Sequence, residues 1–142
     1  MAVKVGISGF GRIGRCTFRT SLLRPDIDIV ALNNRSVGPV MADLLKFDTV
    51  HGTWDHDVSW DNDKQGLVID GKFIPVTNET DPANIPWNKM GVDIVVESTG
   101  KFKDRQSASK HLADGAKKVI ITAPGKNPDK TIVMGVNEDM YD

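Results

Sequence analysis

Val3, Val5 and Ile7 alternate with Lys4 and Gly6, the two-residue period of a strand, and the run ends in Ser8-Gly9-Phe10-Gly11. From Arg12 to Leu23 there is no proline, and no glycine beyond Gly14, so a helix is predicted to leave the turn. Ile13, Cys16, Thr17 and Thr20 share one face of that helix by their spacing, which directs Cys16 toward a sheet. Pro25-Asp26 interrupts it. Ile27, Ile29, Val30, Ala31 and Leu32 then make a second strand, apolar enough to be covered on both faces, that runs into Asn33-Asn34-Arg35-Ser36. After the Gly38-Pro39 break, Met41, Leu44, Leu45 and Phe47 predict a short helix from Val40 to Phe47.

Between Thr53 and Thr77 the pattern changes to strand-forming runs separated by polar turns. Val58-Ser59-Trp60, Leu67-Val68-Ile69 and Lys72-Phe73-Ile74-Pro75-Val76 are divided by Asp61 to Gly66 and by Asp70-Gly71, an antiparallel excursion inserted between βα units. Asp81 to Trp87 reads as a turn or short helix start, and Val92 to Val96 as a buried parallel strand leading into Glu97-Ser98-Thr99-Gly100. Asp104 to Ala113 has helix-forming composition with Gly115 as its stop, Lys118 to Thr122 is a strand, and Thr131 to Met134 is one more. The sum is an α/β fold, a doubly wound, mainly parallel sheet with an antiparallel hairpin insert, forming one domain over residues 1–142.

Between the first strand and the first helix, Gly9-x-Gly11-x-x-Gly14 has the form of the phosphate-binding turn of a Rossmann-type fold. Its glycines supply a tight turn, a backbone surface bare of side chains beside a pyrophosphate, and close packing of helix on strand. Free N–H groups and the positive end of the helix dipole receive the phosphates. The pattern predicts a chain that holds NAD or NADP.

A net charge of −1 argues against nucleic acid as a partner, and no apolar run approaches the roughly 20 residues that span a bilayer. Met1-Ala2-Val3-Lys4 enters a strand directly instead of opening a signal peptide, so a cytoplasmic protein is expected. The single cysteine, Cys16, reads as a small buried hydrophobe and not as a nucleophile. His51, Asp55, His56 and Asp57 match no zinc spacing. Asp61-x-Asp63-x-Gln65-Gly66 opens like a calcium loop but puts Lys72 where the bidentate Glu belongs, so no metal site is expected. Trp54, Trp60 and Trp87 have no interleaved basic stripe and are assigned to packing. His111 falls near a helix end, where the dipole favours the charged form.

Val5 to Arg15, Phe47-Asp48-Thr49-Val50-His51-Gly52, Val95-Val96-Glu97-Ser98-Thr99-Gly100, Gly115 to Pro124 and Gly135-Val136-Asn137 together resemble, from end to end, the cofactor domain of phosphorylating glyceraldehyde-3-phosphate dehydrogenases. The resemblance implies oxidation of glyceraldehyde 3-phosphate to the acyl phosphate 1,3-bisphosphoglycerate by covalent catalysis. A cysteine thiohemiacetal forms, hydride passes to the nicotinamide, and inorganic phosphate attacks the thioester. In that family the nucleophile lies in a Ser-x-x-Ser-Cys-Thr-Thr-Asn-like segment and the histidine base lies further on. Neither is in this sequence, so no catalytic residue is assigned, the catalytic domain is absent, and the chain is expected to bind cofactor without turnover. An erythrose-4-phosphate dehydrogenase shares this domain, and a stand-alone nucleotide-binding module is the alternative of a different class. The abrupt end at a domain seam implies an excised domain. Because the family's tetramers rest largely on the second domain, the chain is expected to be monomeric or weakly associated.

The resemblance also implies contacts. Gly9, Phe10, Gly11, Arg12, Ile13 and Gly14 surround the pyrophosphate, and Asn33, Asn34, Arg35 and Ser36 the adenosine ribose. Thr80 approaches the adenine pocket, Ser98, Thr99, Gly100 and Phe102 run along the nucleotide, and Thr122 touches the nicotinamide ribose. NAD-preferring members carry Asp where Asn34 stands, 20 positions after Gly14, the general place for the acidic residue on the ribose. A carboxylate repels a 2′-phosphate, whereas an amide, a guanidinium and a hydroxyl donate to one. NADP is therefore the expected cofactor, a preference weakened by Thr80, where many members have Arg.

Overall fold

The computed structural model describes residues 1–141; Asp142, the last residue of the domain read over 1–142, lies outside them. The elements run β1 (Val3–Ser8), α1 (Arg12–Ser21), β2 (Ile27–Asn33), α2 (Pro39–Lys46), β3 (Phe47–Asp48), β4 (Gly52–Thr53), β5 (Val58–Asp61), β6 (Gly66–Ile69), β7 (Lys72–Thr77), β8 (Ile94–Glu97), α3 (Arg105–Ala108) and β9 (Lys118–Ile121). Short 3₁₀ turns lie at Pro82–Asn84, Ser109–Leu112 and Glu138–Met140. Seven strands form one sheet in the order β5-β6-β7-β2-β1-β8-β9, and β3 and β4 make a separate two-stranded ladder. β1 lies between β2 and β8, parallel to both, and the chain winds outward from it in either direction. That reversal point is where a doubly wound sheet opens a crevice.

Neighbouring residues of one strand serve opposite faces, which is why the parallel strands read as nearly unbroken apolar runs. Leu32 and Val96 join Val5, Ile7, Phe10, Phe18, Met41 and Leu45 in one core cluster, while Ala31 and Val95 join Ile85, Trp87, Val92 and Ala116 in the other. Gly6 lets the ring of Trp87 lie on β1, since a Cβ there would stand 2.5 Å from Trp87 Cζ3.

Three expectations change. The buried face of α1 is Gly14, Phe18 and Ser21; Ile13 is 52% exposed and Cys16 half-buried, because Phe18 is the large apolar anchor and the contact of Gly14 with the preceding turn fixes the helix rotation. The antiparallel hairpin excursion is present and continuous with the main sheet: β7 pairs antiparallel with β6 and parallel with β2. The helix expected over Asp104 to Ala113 is one turn of α-helix followed by a 3₁₀ turn, started by the Asp104 carboxylate, which accepts from Ser107 N–H. Thr131 to Met134 is no strand: Asn137 takes its hydrogen bonds, accepting from Val133 N–H at 2.7 Å and donating to Thr131 O at 3.0 Å. His111 falls in the last turn of the 3₁₀ segment, near a helix end as expected, and is fully buried there.

Candidate functional site

At the reversal point a cleft of about 360 Å³ opens beyond the C-terminal ends of β1, β2 and β8. Three short segments form most of its wall: Ser8 to Gly11 leaving β1, Asn33 to Ser36 leaving β2, and Ser98 and Thr99 leaving β8. Glu79, Thr80, Pro82 and Ile85 close one side, and Lys101 and Phe102 another.

The glycines of the turn have distinct duties. Gly14 is pressed against the backbone, a Cβ there falling 2.1 Å from Gly9 O, so α1 approaches the turn as closely as two backbones allow. Gly9 has φ +92° and lies on the neighbouring turn, where a Cβ would stand 2.6 Å from Thr99 N. Around Gly11, by contrast, a Cβ would meet nothing within 4 Å. Gly11 is also the N-cap of α1, has no side-chain cap, and the first turn carries no acidic residue. The leading N–H groups of the helix thus stand free before open space, the arrangement that receives an anion. Ser8 Oγ, buried in the wall of the cleft, has no hydrogen-bond partner among the described residues. A buried hydroxyl without a partner is a donor awaiting one. Orphaned hydroxyl, bare Gly11 and free helix N-terminus together fit a phosphate-bearing nucleotide.

Polar side chains brace the walls. Asn33 is buried: its Oδ1 accepts from Thr77 Oγ1 at 2.8 Å and from Glu79 N–H at 2.9 Å, and its Nδ2 donates to Glu79 O at 3.1 Å. Its amide thus ties β2 to the chain beyond β7. Asn34 Oδ1 accepts from Phe10 N–H at 3.1 Å, and one Nδ2 hydrogen goes to Ser36 O at 2.7 Å, leaving the second for another acceptor. Arg35 and Ser36 are exposed at the rim, and Arg35 makes no ion pair among the described residues.

Of the residues the sequence singled out, eleven line the cleft: Gly9, Phe10, Gly11, Asn33, Asn34, Arg35, Ser36, Thr80, Ser98, Thr99 and Phe102. Phe10 does so by its backbone, since its ring is in the core against Phe18. Arg12, Ile13, Gly14, Gly100 and Thr122 are not in the wall. The Arg12 guanidinium forks onto Asp48 at 2.7 and 3.1 Å, which holds the Asp48 carboxyl well below the usual carboxylate range, helped by the His51 and Val50 N–H groups. Thr122 Oγ1 donates to Glu97 O at 3.1 Å, behind the Ser98 turn. Ser8, Glu79, Pro82, Ile85 and Lys101 were not foreseen. Ser8 and Lys101 adjoin recognised glycine turns and were within reach of the same reasoning.

A family model described as the NAD binding domain of glyceraldehyde 3-phosphate dehydrogenase matches residues 3–105. The chain is 58% identical over 142 residues to the glyceraldehyde-3-phosphate dehydrogenase of Geobacillus stearothermophilus and 56% identical over 142 to glyceraldehyde-3-phosphate dehydrogenase 1 of Bacillus subtilis (strain 168). Over 142 residues it is 49% identical to glyceraldehyde-3-phosphate dehydrogenase 1 of Trichormus variabilis. These alignments take in 99–100% of this chain and 41–42% of the relatives' own length. No helix among the described residues is long and apolar enough to cross a membrane.

Proposed function

The chain belongs to the glyceraldehyde 3-phosphate dehydrogenase NAD-binding-domain family, and from that premise we propose that the cleft holds the dinucleotide of an enzyme oxidising glyceraldehyde 3-phosphate to 1,3-bisphosphoglycerate. The observation that carries the reading is the uncapped start of α1 at Gly11, open to a cleft at the reversal point of the sheet. In this reading the free N–H groups of α1 and Ser8 Oγ take the pyrophosphate side, and Asn34, Arg35 and Ser36 take the adenosine ribose. Ser98, Thr99, Gly100 and Phe102 run along the nucleotide, Thr80 stands near the adenine and Thr122 toward the nicotinamide ribose. Gly9 and Gly14 set the shape of the turn, and Ile13 flanks it. When bound, the cofactor supplies a hydride acceptor; the residues of this chain bind and orient it. The only cysteine, Cys16, lies half-buried on α1, so these 142 residues hold cofactor and do not turn over alone.

NADP is the proposed cofactor. Asn34 puts a neutral amide where a carboxylate would repel a 2′-phosphate, and Arg35, exposed and without an ion pair among the described residues, adds a cation beside it. Calorimetric titration with NADP and with NAD at one ionic strength tests this. NADP binding at least tenfold tighter, about 1.4 kcal/mol, is expected. Equal or NAD-favouring affinity makes Arg35 a bystander, and no binding of either overturns the cofactor reading. The same reading carries a cytoplasmic location and a monomeric or weakly associated chain, for which sedimentation at micromolar concentration is the check.

A further inference from the structure

We propose that Trp87, His111 and Glu97 are positioning residues that set the Ser98-Thr99-Gly100 turn at the cleft, an inference that rests on reading the cleft as the dinucleotide site. Trp87 Nε1–H donates to His111 Nδ1 at 3.1 Å, and His111 Nε2 lies 2.7 Å from Glu97 Oε2. Glu97 Oε1 accepts from the Thr99 backbone N–H at 2.7 Å and from the Thr99 hydroxyl. Thr99 Oγ1 in turn accepts from Lys101 N–H at 3.1 Å. Trp87 and His111 are 0% exposed and Glu97 2%.

The direction of every bond in this series follows from its first member. An indole N–H only donates, so His111 Nδ1 carries no proton, and the imidazole proton sits on Nε2 and donates to Glu97. The carboxylate is then the buried charge, and it receives three donors: His111 Nε2–H, Thr99 N–H and Thr99 O–H. A buried carboxylate requires such partners and grips them more strongly than a neutral acceptor would. Both ends are fixed by glycine contacts. The Trp87 ring rests on Gly6 of β1, and the Thr99 backbone rests on Gly9 of the phosphate turn, where a Cβ would stand 2.6 Å from Thr99 N and 2.7 Å from Ser98 C. The series thus connects the core beneath the sheet to the contact between the two turns that form the cleft. If Glu97 loses its hold on Thr99, the spacing at Gly9 loosens with it.

The test pairs spectroscopy of the 142-residue chain with two substitutions. Nitrogen-15 NMR of His111 is expected to show a protonated Nε2 and a bare Nδ1; a protonated Nδ1 overturns the series. His111→Leu removes both hydrogen bonds, and His111→Gln keeps an acceptor for Trp87 and a donor for Glu97. In His111→Leu the Kd for NADP and for NAD is expected to rise at least tenfold and the Thr99 amide to exchange at least tenfold faster, with His111→Gln recovering most of both. A folded His111→Leu with unchanged affinity and unchanged Thr99 exchange, however much its Tm falls, reduces the cluster to core packing and overturns the proposal. Should His111→Leu not fold, Glu97→Gln decides, because its amide sets N–H groups against either His111 or Thr99. The same losses are expected there, and wild-type behaviour has the same overturning force. If the unaltered chain binds neither dinucleotide, the cofactor reading falls, while Thr99 exchange and the His111 tautomer still judge the positioning role.

Discussion

Gly11 and Gly14 stand three positions apart in one turn and are alike only in lacking a side chain, yet a methyl group at each meets opposite surroundings. At Gly14 a Cβ would fall 2.1 Å from Gly9 O, a backbone atom that cannot swing aside. Gly14→Ala is therefore expected to push α1 off the turn and destabilise the fold by about 1–3 kcal/mol, the range for overpacking. At Gly11 nothing lies within 4 Å, and φ −76° is open to any residue, so Gly11→Ala is expected to leave stability within about 0.5 kcal/mol. Its methyl group would occupy the space before the helix N–H groups, and dinucleotide affinity is expected to fall at least tenfold. Urea melts and calorimetry on both variants separate the two effects. A Gly11→Ala chain that binds as before would place the phosphates elsewhere.

Between elements, the cleft depends on a side chain that the sequence offered as a ligand and the structure uses as a brace. Asn33 ties the end of β2 to Thr77 and Glu79 with three hydrogen bonds. Asn33→Ala is expected to cost about 1–3 kcal/mol for the backbone groups it strands and to weaken dinucleotide binding through the loosened Glu79-Thr80 edge. Thr77→Val, which removes one partner only, should cost about 0.5–1.5 kcal/mol and leave affinity near wild type; equal effects of the two on affinity would contradict the bracing role. This brace also marks what sequence can and cannot convey. The parallel strands β1, β2 and β8 were legible because burial on both faces leaves apolar runs, and the turn was legible because glycine spacing states a backbone requirement. The pairing of β7 with β2 was not, since alternation along Lys72–Thr77 names a face and not a neighbour. The inward face of α1 was misread because Gly14, which makes its closest contact, has no hydrophobic signature. Glu97 and His111 were opaque for the converse reason: a buried polar residue has the same letter as a solvated one, and only the partners reveal it.

Across the whole molecule the charges nearly cancel, at −1, but the acidic groups are not evenly disposed toward acid. Asp48 is held below the ordinary carboxylate range by Arg12 and by two backbone N–H groups, Asp26 by Arg24, Asp70 by His56, Asp81 by the Ala83 N–H, Asp93 by Lys117 and Asp104 by Ser107. These carboxyls release their protons more readily folded than unfolded, so the unfolded chain binds more protons as the pH drops toward its own carboxylate range near about 4. Their stabilisation is complete above that range and is lost as the pH falls toward the lower folded values. The urea midpoint is accordingly expected to fall steadily below about pH 4 through these groups. Asp48 makes the most specific test, because its side chain is 6% exposed and its pair with Arg12 joins α1 to β3 across 36 positions of chain. Asp48→Asn should be less stable than wild type at pH 7, decline less steeply below pH 4, and converge with it in strong acid. Curves that stay parallel across that range would show that Asp48 contributes no protonation-linked stability and that its bonds to Arg12, Val50 and His51 act by shape alone.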